Sequence, residues 1–106
     1  MPFELVYTKR ARRDLENLNL SVQRKIVEES LGLKETPFPS GKKRKKIQGM
    51  NFPCYRLRID TKADSFRLFY GIDRNMIYVL RIVSRKEADR IISSLRKSHF
   101  PPPSTC

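Results

Sequence analysis

Three consecutive segments, CYRLRID at 54–60, SFRLFYGI at 65–72 and MIYVLRIV at 76–83, are rich in aromatic and branched residues, and only TKAD and DRN separate them. Connections that short, built from turn-forming residues, allow little besides tight hairpins, so the three segments are predicted to pair as an antiparallel meander. Side chains alternate across a strand. Tyr55, Leu57 and Ile59 therefore share one face, with Arg56 and Arg58 on the other. In the next segment Phe66, Leu68, Tyr70 and Ile72 share a face, which leaves Arg67 on the opposite side with Phe69. In the third, Ile77, Val79, Arg81 and Val83 are assigned to one face, and Arg85 follows the strand. Hairpin pairing brings the strands of Arg56, Arg58 and Arg67 side by side. Like charges gathered on one sheet surface call for a counter-charge.

The rest of the chain supplies the cover that a meander needs. PFELVYT alternates Phe3, Leu5 and Tyr7 with Glu4 and Val6 and reads as a first strand. Thr8 can cap a helix with Ala11, Leu15 and Leu18 on one stripe; Asn19 and Leu20 interrupt it. Ser21 can cap a second helix striped by Val22, Ile26 and Leu31. TPFPSG at 36–41 then closes the helical hairpin with a loop. Ser84 and Glu87 stand at the spacing of a capping box that opens a last helix, with Ala88, Ile91, Ile92 and Leu95 on its stripe. The predicted order is β-α-α-β-β-β-α, an α+β single domain. The helical hairpin packs on one face of a mostly antiparallel, curved four-stranded sheet, and the other face stays partly open. The domain is assigned to residues 1–97, and the Pro-rich segment 98–106 to a mobile tail.

Charge narrows the function. Among 106 residues, 23 Lys and Arg against 11 Asp and Glu give a net charge of +12, which points to a polyanionic partner. With no long apolar run and no signal-peptide pattern, a cytoplasmic protein with no membrane partner is the expectation. Lys42, Lys43, Arg44, Lys45 and Lys46 form an unbroken basic run, read as solvated and suited to nucleic-acid phosphates. Lys9, Arg10, Arg12 and Arg13 crowd the first helix, and Arg85 and Lys86 open the last. Cations in a first helical turn oppose the macrodipole at a cost of about 0.3–1 kcal/mol each, which a bound phosphate would offset.

Other chemistry is sparse. Cys54 and Cys106 show no metal-ligand spacing and read as free thiols. His99, the only histidine, lies beside three prolines after the last helix, and Asp60 reads as a salt-bridge or turn residue at a strand end. No P-loop, glycine-rich fingerprint or zinc pattern is present, so no metal or cofactor is expected.

The strand KKIQGMNFPCYRLRI, the strand SFRLFYGI and the junction VLRIVSRKEADRI together resemble the RelE-type toxins of the RelE/ParE toxin-antitoxin superfamily, over roughly residues 3–96. The resemblance implies a ribosome-dependent endoribonuclease that enters the ribosomal A site and cuts mRNA by metal-free 2'-hydroxyl attack. It places the family's catalytic cations at Arg56, Arg58, Arg67 and Arg85. Lys42 to Lys46, Arg10, Arg13, Arg81 and Lys86 then become RNA-binding residues. It also implies a cognate antitoxin, for which an acidic segment would suit the charge. Two departures stand out. Val83 and Ser84 replace the glycine and the histidine or lysine that many relatives carry before the junction arginine, and Asp89, Arg90 and Ile91 stand where several have a tyrosine. Activity weaker than that of relatives is one expectation. A ParE-like, gyrase-directed toxin and an RNA-binding homologue without nuclease activity are the alternatives.

Overall fold

A computed structural model describes residues 3–102. Strand β1 (Glu4–Tyr7) leads into helix α1 (Lys9–Glu16) and helix α2 (Leu20–Leu31). A 3-10 turn over Gly32–Lys34 ends α2; strands β2 (Arg44–Lys46), β3 (Cys54–Asp60), β4 (Ser65–Asp73) and β5 (Met76–Ser84) follow, then a second 3-10 turn over Arg85–Glu87 and helix α3 (Ala88–Leu95). The sheet order is β1-β5-β4-β3-β2, with β1 parallel to β5 and every other pair antiparallel. The expected meander is β3-β4-β5. Among the described residues no helix is long and apolar enough to cross a membrane.

The sheet has five strands where four were expected. The additional strand, β2, forms from the basic run itself, pairing Arg44 with Leu57, Lys45 with Arg56 and Lys46 with Tyr55. The Lys43 carbonyl accepts from the Arg58 N–H at 2.9 Å, and the Ile47 N–H donates to the Cys54 carbonyl at 2.8 Å. Charge does not stop a segment from taking an edge position, where lysines face water and discourage pairing with other chains.

Helix capping follows the expectation at one end and departs from it at two others. The Thr8 hydroxyl accepts the Ala11 N–H at 3.1 Å, as expected. At α2 the cap is Asn19, not Ser21: its Oδ1 accepts both the Val22 N–H at 3.0 Å and the Ser21 hydroxyl at 2.8 Å. Ser84 makes no side-chain capping bond, and Glu87 turns forward to Arg90 at 2.6 Å, so the tight 3-10 turn takes the place of the expected box. Leu31 also departs from its stripe. It lies nine positions beyond Val22, about two and a half helical turns, and so points outward with 51% exposure. Ser30 takes the inward position, its hydroxyl 2.6 Å from that of Tyr7 and donating to the Val27 carbonyl at 2.8 Å.

Both faces of the sheet are covered to a degree. One carries the main core, in which Val22 and Ile26 of α2 and Ala11 of α1 meet Leu57, Ile59, Leu68, Tyr70, Ile77 and Val79. On the other, Ile91 and Leu95 of α3 pack with Cys54, Phe69, Leu80 and Val83. A β-bulge at Leu80 assigns β5 to both cores: Tyr70 pairs with Val79, but Phe69 pairs with Arg81. The extra residue inverts the alternation, so Arg81 and Val83 do not share the face of Ile77 and Val79 as expected. Ile82 joins the main core instead. In the described part of the expected tail, Phe100 is docked, stacked on Phe52 with ring centroids 4.5 Å apart and edge-on to Tyr78 at 5.6 Å. The rest of that tail, including Cys106, lies outside the described residues.

Candidate functional site

The arginine face is assembled by register. Arg58 stands directly opposite Arg67, and Arg67 opposite Val83, across β3, β4 and β5. One row along, Lys45 pairs with Arg56 and Arg56 with Phe69. Phe69 is fully buried beneath α3, which makes it the floor against which the cations are set. Arg56, Arg58 and Arg67 are half-buried, and Arg85 is exposed in the turn after β5.

Two of these arginines converge on a single carboxylate, Arg67 through Ser65 and Arg58 by proximity. Arg67 Nη1 donates to Ser65 Oγ at 2.8 Å and to the Phe66 carbonyl at 3.1 Å. The Ser65 hydroxyl donates in turn to Asp60 Oδ1 at 2.7 Å. The second oxygen of Asp60 lies 3.4 Å from Arg58 Nε. Asp60 and Ser65 are the closing pair of the β3–β4 hairpin, whose four-residue loop is braced by Thr61 bonded to Asp64. No such partner holds Arg56 or Arg85 among the described residues. The site therefore combines one hydrogen-bonded cation, Arg67, one that only faces a carboxylate, Arg58, and two without such a partner among the described residues.

Electrostatics tie the group together. Burial lowers the pKa of the Arg67 guanidinium, and Arg56, Arg58 and Arg85 lower it further against the opposing pull of Asp60. Burial, then Arg58, lowers that of Arg56. A guanidinium stays protonated in neutral water through such shifts, so both arginines remain cations whose mutual repulsion favours binding an anion. The Ser65 hydrogen bond, reinforced by Arg58, Arg67 and Lys43, holds the Asp60 carboxyl below its ordinary value.

The other expected site residues separate. Lys45 and Lys86 are exposed, Lys45 beside Arg56. Lys46 pairs with Tyr55, on the face that carries α1 and α2. Arg44 donates to the carbonyl and hydroxyl of Thr36 at 2.9 and 2.8 Å, fastening the preceding loop to the sheet edge. Lys42 is exposed in the turn before β2, and Lys43 Nζ lies 3.8 Å from Glu29. Arg10 is exposed at the start of α1 on a groove of ≈ 490 Å³ that Lys97 and His99 also line; Arg13 is exposed in the last turn of α1. Arg81 is engaged with Asp14, Nε to Oδ2 at 2.7 Å, with both side chains largely buried. Sequence reasoning passed over Ser65 and gave Asp60 no part in the site. The hairpin register was the available signal, because a four-residue loop between 60 and 65 makes them partners.

Among the described residues no three His, Cys, Asp or Glu side chains gather at a metal-binding distance. Burial pushes the Cys54 thiol up to about 12, leaving it an unreactive part of the α3 core.

A helical hairpin packed on one face of an antiparallel meander is the fold this chain shares with RelE toxins of known structure. The chain belongs to the ParE toxin family of type II toxin-antitoxin systems, whose family model matches residues 5–89. It is thus a toxin of the RelE/ParE superfamily. A double mutant of the Escherichia coli toxin RelE in the free state has the same fold, with a TM-score of 0.72 at 21% identity over 92% of this chain and 97% of that one. The RelBE2 toxin-antitoxin complex from Mycobacterium tuberculosis matches with a TM-score of 0.66 at 26% identity, over 80% of this chain and 100% of that one. The archaeal RelE–RelB complex from Pyrococcus horikoshii OT3 matches at 0.65 and 22% identity, covering 80% of this chain and 97% of that one. Among curated proteins there is no sequence match.

Proposed function

We propose that this toxin is a ribosome-dependent mRNA endoribonuclease that acts in the cytoplasm without a metal. The observation that carries the reading is the pairing of Arg58 with Arg67 in register, flanked by Arg56 and followed by Arg85. In the reaction, the 2'-hydroxyl oxygen attacks the adjacent phosphorus and the bond to the 5'-oxygen breaks. The products are a 2',3'-cyclic phosphate and a 5'-hydroxyl end. Charge accumulates on the non-bridging oxygens of the phosphorane, where fixed cationic donors are most effective. Arg67 and Arg85 clamp that phosphate, while Arg56 and Arg58 orient the 2'-hydroxyl side. Guanidinium is too weak an acid, and its conjugate base too scarce, to move the protons. The proton lost by the 2'-hydroxyl and the one gained by the 5'-oxygen therefore pass through water or groups of the ribosome, and the remaining surface cations hold ribosomal RNA. A cognate antitoxin with an acidic segment is the expected protein partner. The solved RelE–RelB assemblies support such a partner by analogy.

Cleavage of mRNA on programmed ribosomes tests the reading. Arg67→Ala and Arg85→Ala are each expected to lose about 10²–10³ in rate, the usual cost of removing one donor to a developing oxyanion. Full cutting by both variants overturns the assignment. The match to the ParE family favours a second reading, a gyrase-directed toxin. Trapped gyrase–DNA complexes in an extract whose translation stays intact would establish that one instead.

A further inference from the structure

We infer that Asp60, acting through Ser65, is the positioning residue of the arginine site. The inference deepens the nuclease reading above and rests on it for its kinetic consequence. Directly opposed Arg58 and Arg67 repel each other, and nothing in strand pairing alone selects a rotamer for either. The Asp60 carboxylate resolves this with two oxygens. One receives the Ser65 hydroxyl, which receives Arg67 Nη1; the other faces Arg58 Nε. Arg58 Nε is buried and makes no hydrogen bond, and Asp60 Oδ2 at 3.4 Å is the one carboxylate oxygen that faces it among the described residues. Asp60 is itself exposed at the end of β3, and its hairpin loop is braced independently by Thr61 and Asp64. Its removal therefore leaves the fold in place while freeing Arg58 of its facing charge and leaving Arg67 on an unanchored Ser65 and the Phe66 carbonyl. A carboxylate beside a phosphate site would by itself oppose RNA binding. Its value lies in geometry.

The two effects have opposite signs, which makes the inference testable. In Asp60→Ala, binding to programmed ribosomes is expected to hold or tighten, because a negative charge has left the site. Cleavage at saturation is expected to fall about 10- to 100-fold, the scale of a misplacement near one ångström. Ser65→Ala is expected to show a smaller loss of the same kind. Asp60→Asn, which keeps an acceptor for Ser65 but not the charge facing Arg58, is expected to fall between them. A second readout does not depend on cutting. The Arg67 Nη hydrogens should give separate, slowly exchanging NMR signals in the wild-type chain that merge in Ser65→Ala and Asp60→Ala. If Asp60→Ala binds and cuts as well as or better than the wild type, the carboxylate is only a repellent and the inference is overturned. Unchanged Arg67 signals in both variants overturn it too. If no form of the chain cuts on ribosomes, the nuclease reading fails by itself, and the Arg67 signals decide the positioning role alone.

Discussion

Gly71 has no side chain, and the Phe100 ring occupies the space that one would need. A Cβ built there would lie 2.5 Å from Phe100 Cε1. Gly71→Ala must therefore expel the ring from its stack on Phe52, and overpacking of this kind typically costs about 1–3 kcal/mol. Denaturant unfolding of Gly71→Ala, Phe100→Ala and the double variant is the check. The two losses are expected to be strongly non-additive, because once the ring is gone the methyl has nothing to displace. A second contact sets the cost of disturbing α1. Asp14 Oδ2 accepts from Arg81 Nε at 2.7 Å and from the Ile82 N–H at 2.9 Å, beside the bulge. Asp14→Ala leaves a largely buried guanidinium and a backbone donor unpaired, and is expected to destabilise by about 3 kcal/mol. Asp60 brings pH into the same picture. Its folded-state pKa lies below the ordinary 3.8. The stability linked to this shift is therefore fully present above that value and is lost as pH falls through the lower folded one. A carboxyl ¹³C titration should show the depressed midpoint, and Ser65→Ala should move it back up, since that hydrogen bond is its largest cause.

At the scale of elements, what could be read from sequence was whatever local periodicity decides. The β3-β4-β5 meander, the inward positions of Leu57, Ile59, Phe66 and Leu68, and the cap at Thr8 all follow from alternation and short loops. The parts missed depend on pairing. Nothing local marks Leu80 as an extra residue, since the bulge is defined only by the partner strand, and so the face of Arg81 was misplaced. Likewise the basic run becomes a strand because β3 offers it an edge, a tertiary gain that outweighs low β-propensity. The opposition of Arg58 and Arg67 was legible because both sit on strands whose pairing short loops dictate; the carboxylate beside them was not, because Asp60 looked like any strand-end acid. Edge strand β2 is expected to show this dependence in hydrogen exchange. The amides of Ile47 and Arg58, which bridge β2 and β3, should be protected yet exchange faster than those joining β4 to β5. Exchange at unfolded rates would mean that the run is a free basic tail after all.

For the whole molecule, the question is whether +12 acts as a diffuse charge or is focused on one site. Diffuse charge attracts any nucleic acid, and each neutralised phosphate contributes about 0.7 to the slope of log affinity against log salt for single strands. A focused site makes that slope sensitive to particular residues. Arg85 is exposed beside the fixed Arg67, whereas Arg74 is exposed in the β4–β5 turn, at the opposite end of β4 from the Asp60–Ser65 pair. Each substitution removes one unit of charge, and asparagine accepts the left-handed backbone at Arg74, where φ is 59°. Binding of a short single-stranded RNA, measured over a range of salt concentrations, then separates the cases. Arg85→Gln is expected to lower the magnitude of the slope by about 0.7, and Arg74→Asn to leave it unchanged. Equal slopes for the two variants would mean that net charge alone holds the RNA. In that case the register that sets Arg58 against Arg67 would have to serve a partner other than a phosphate backbone.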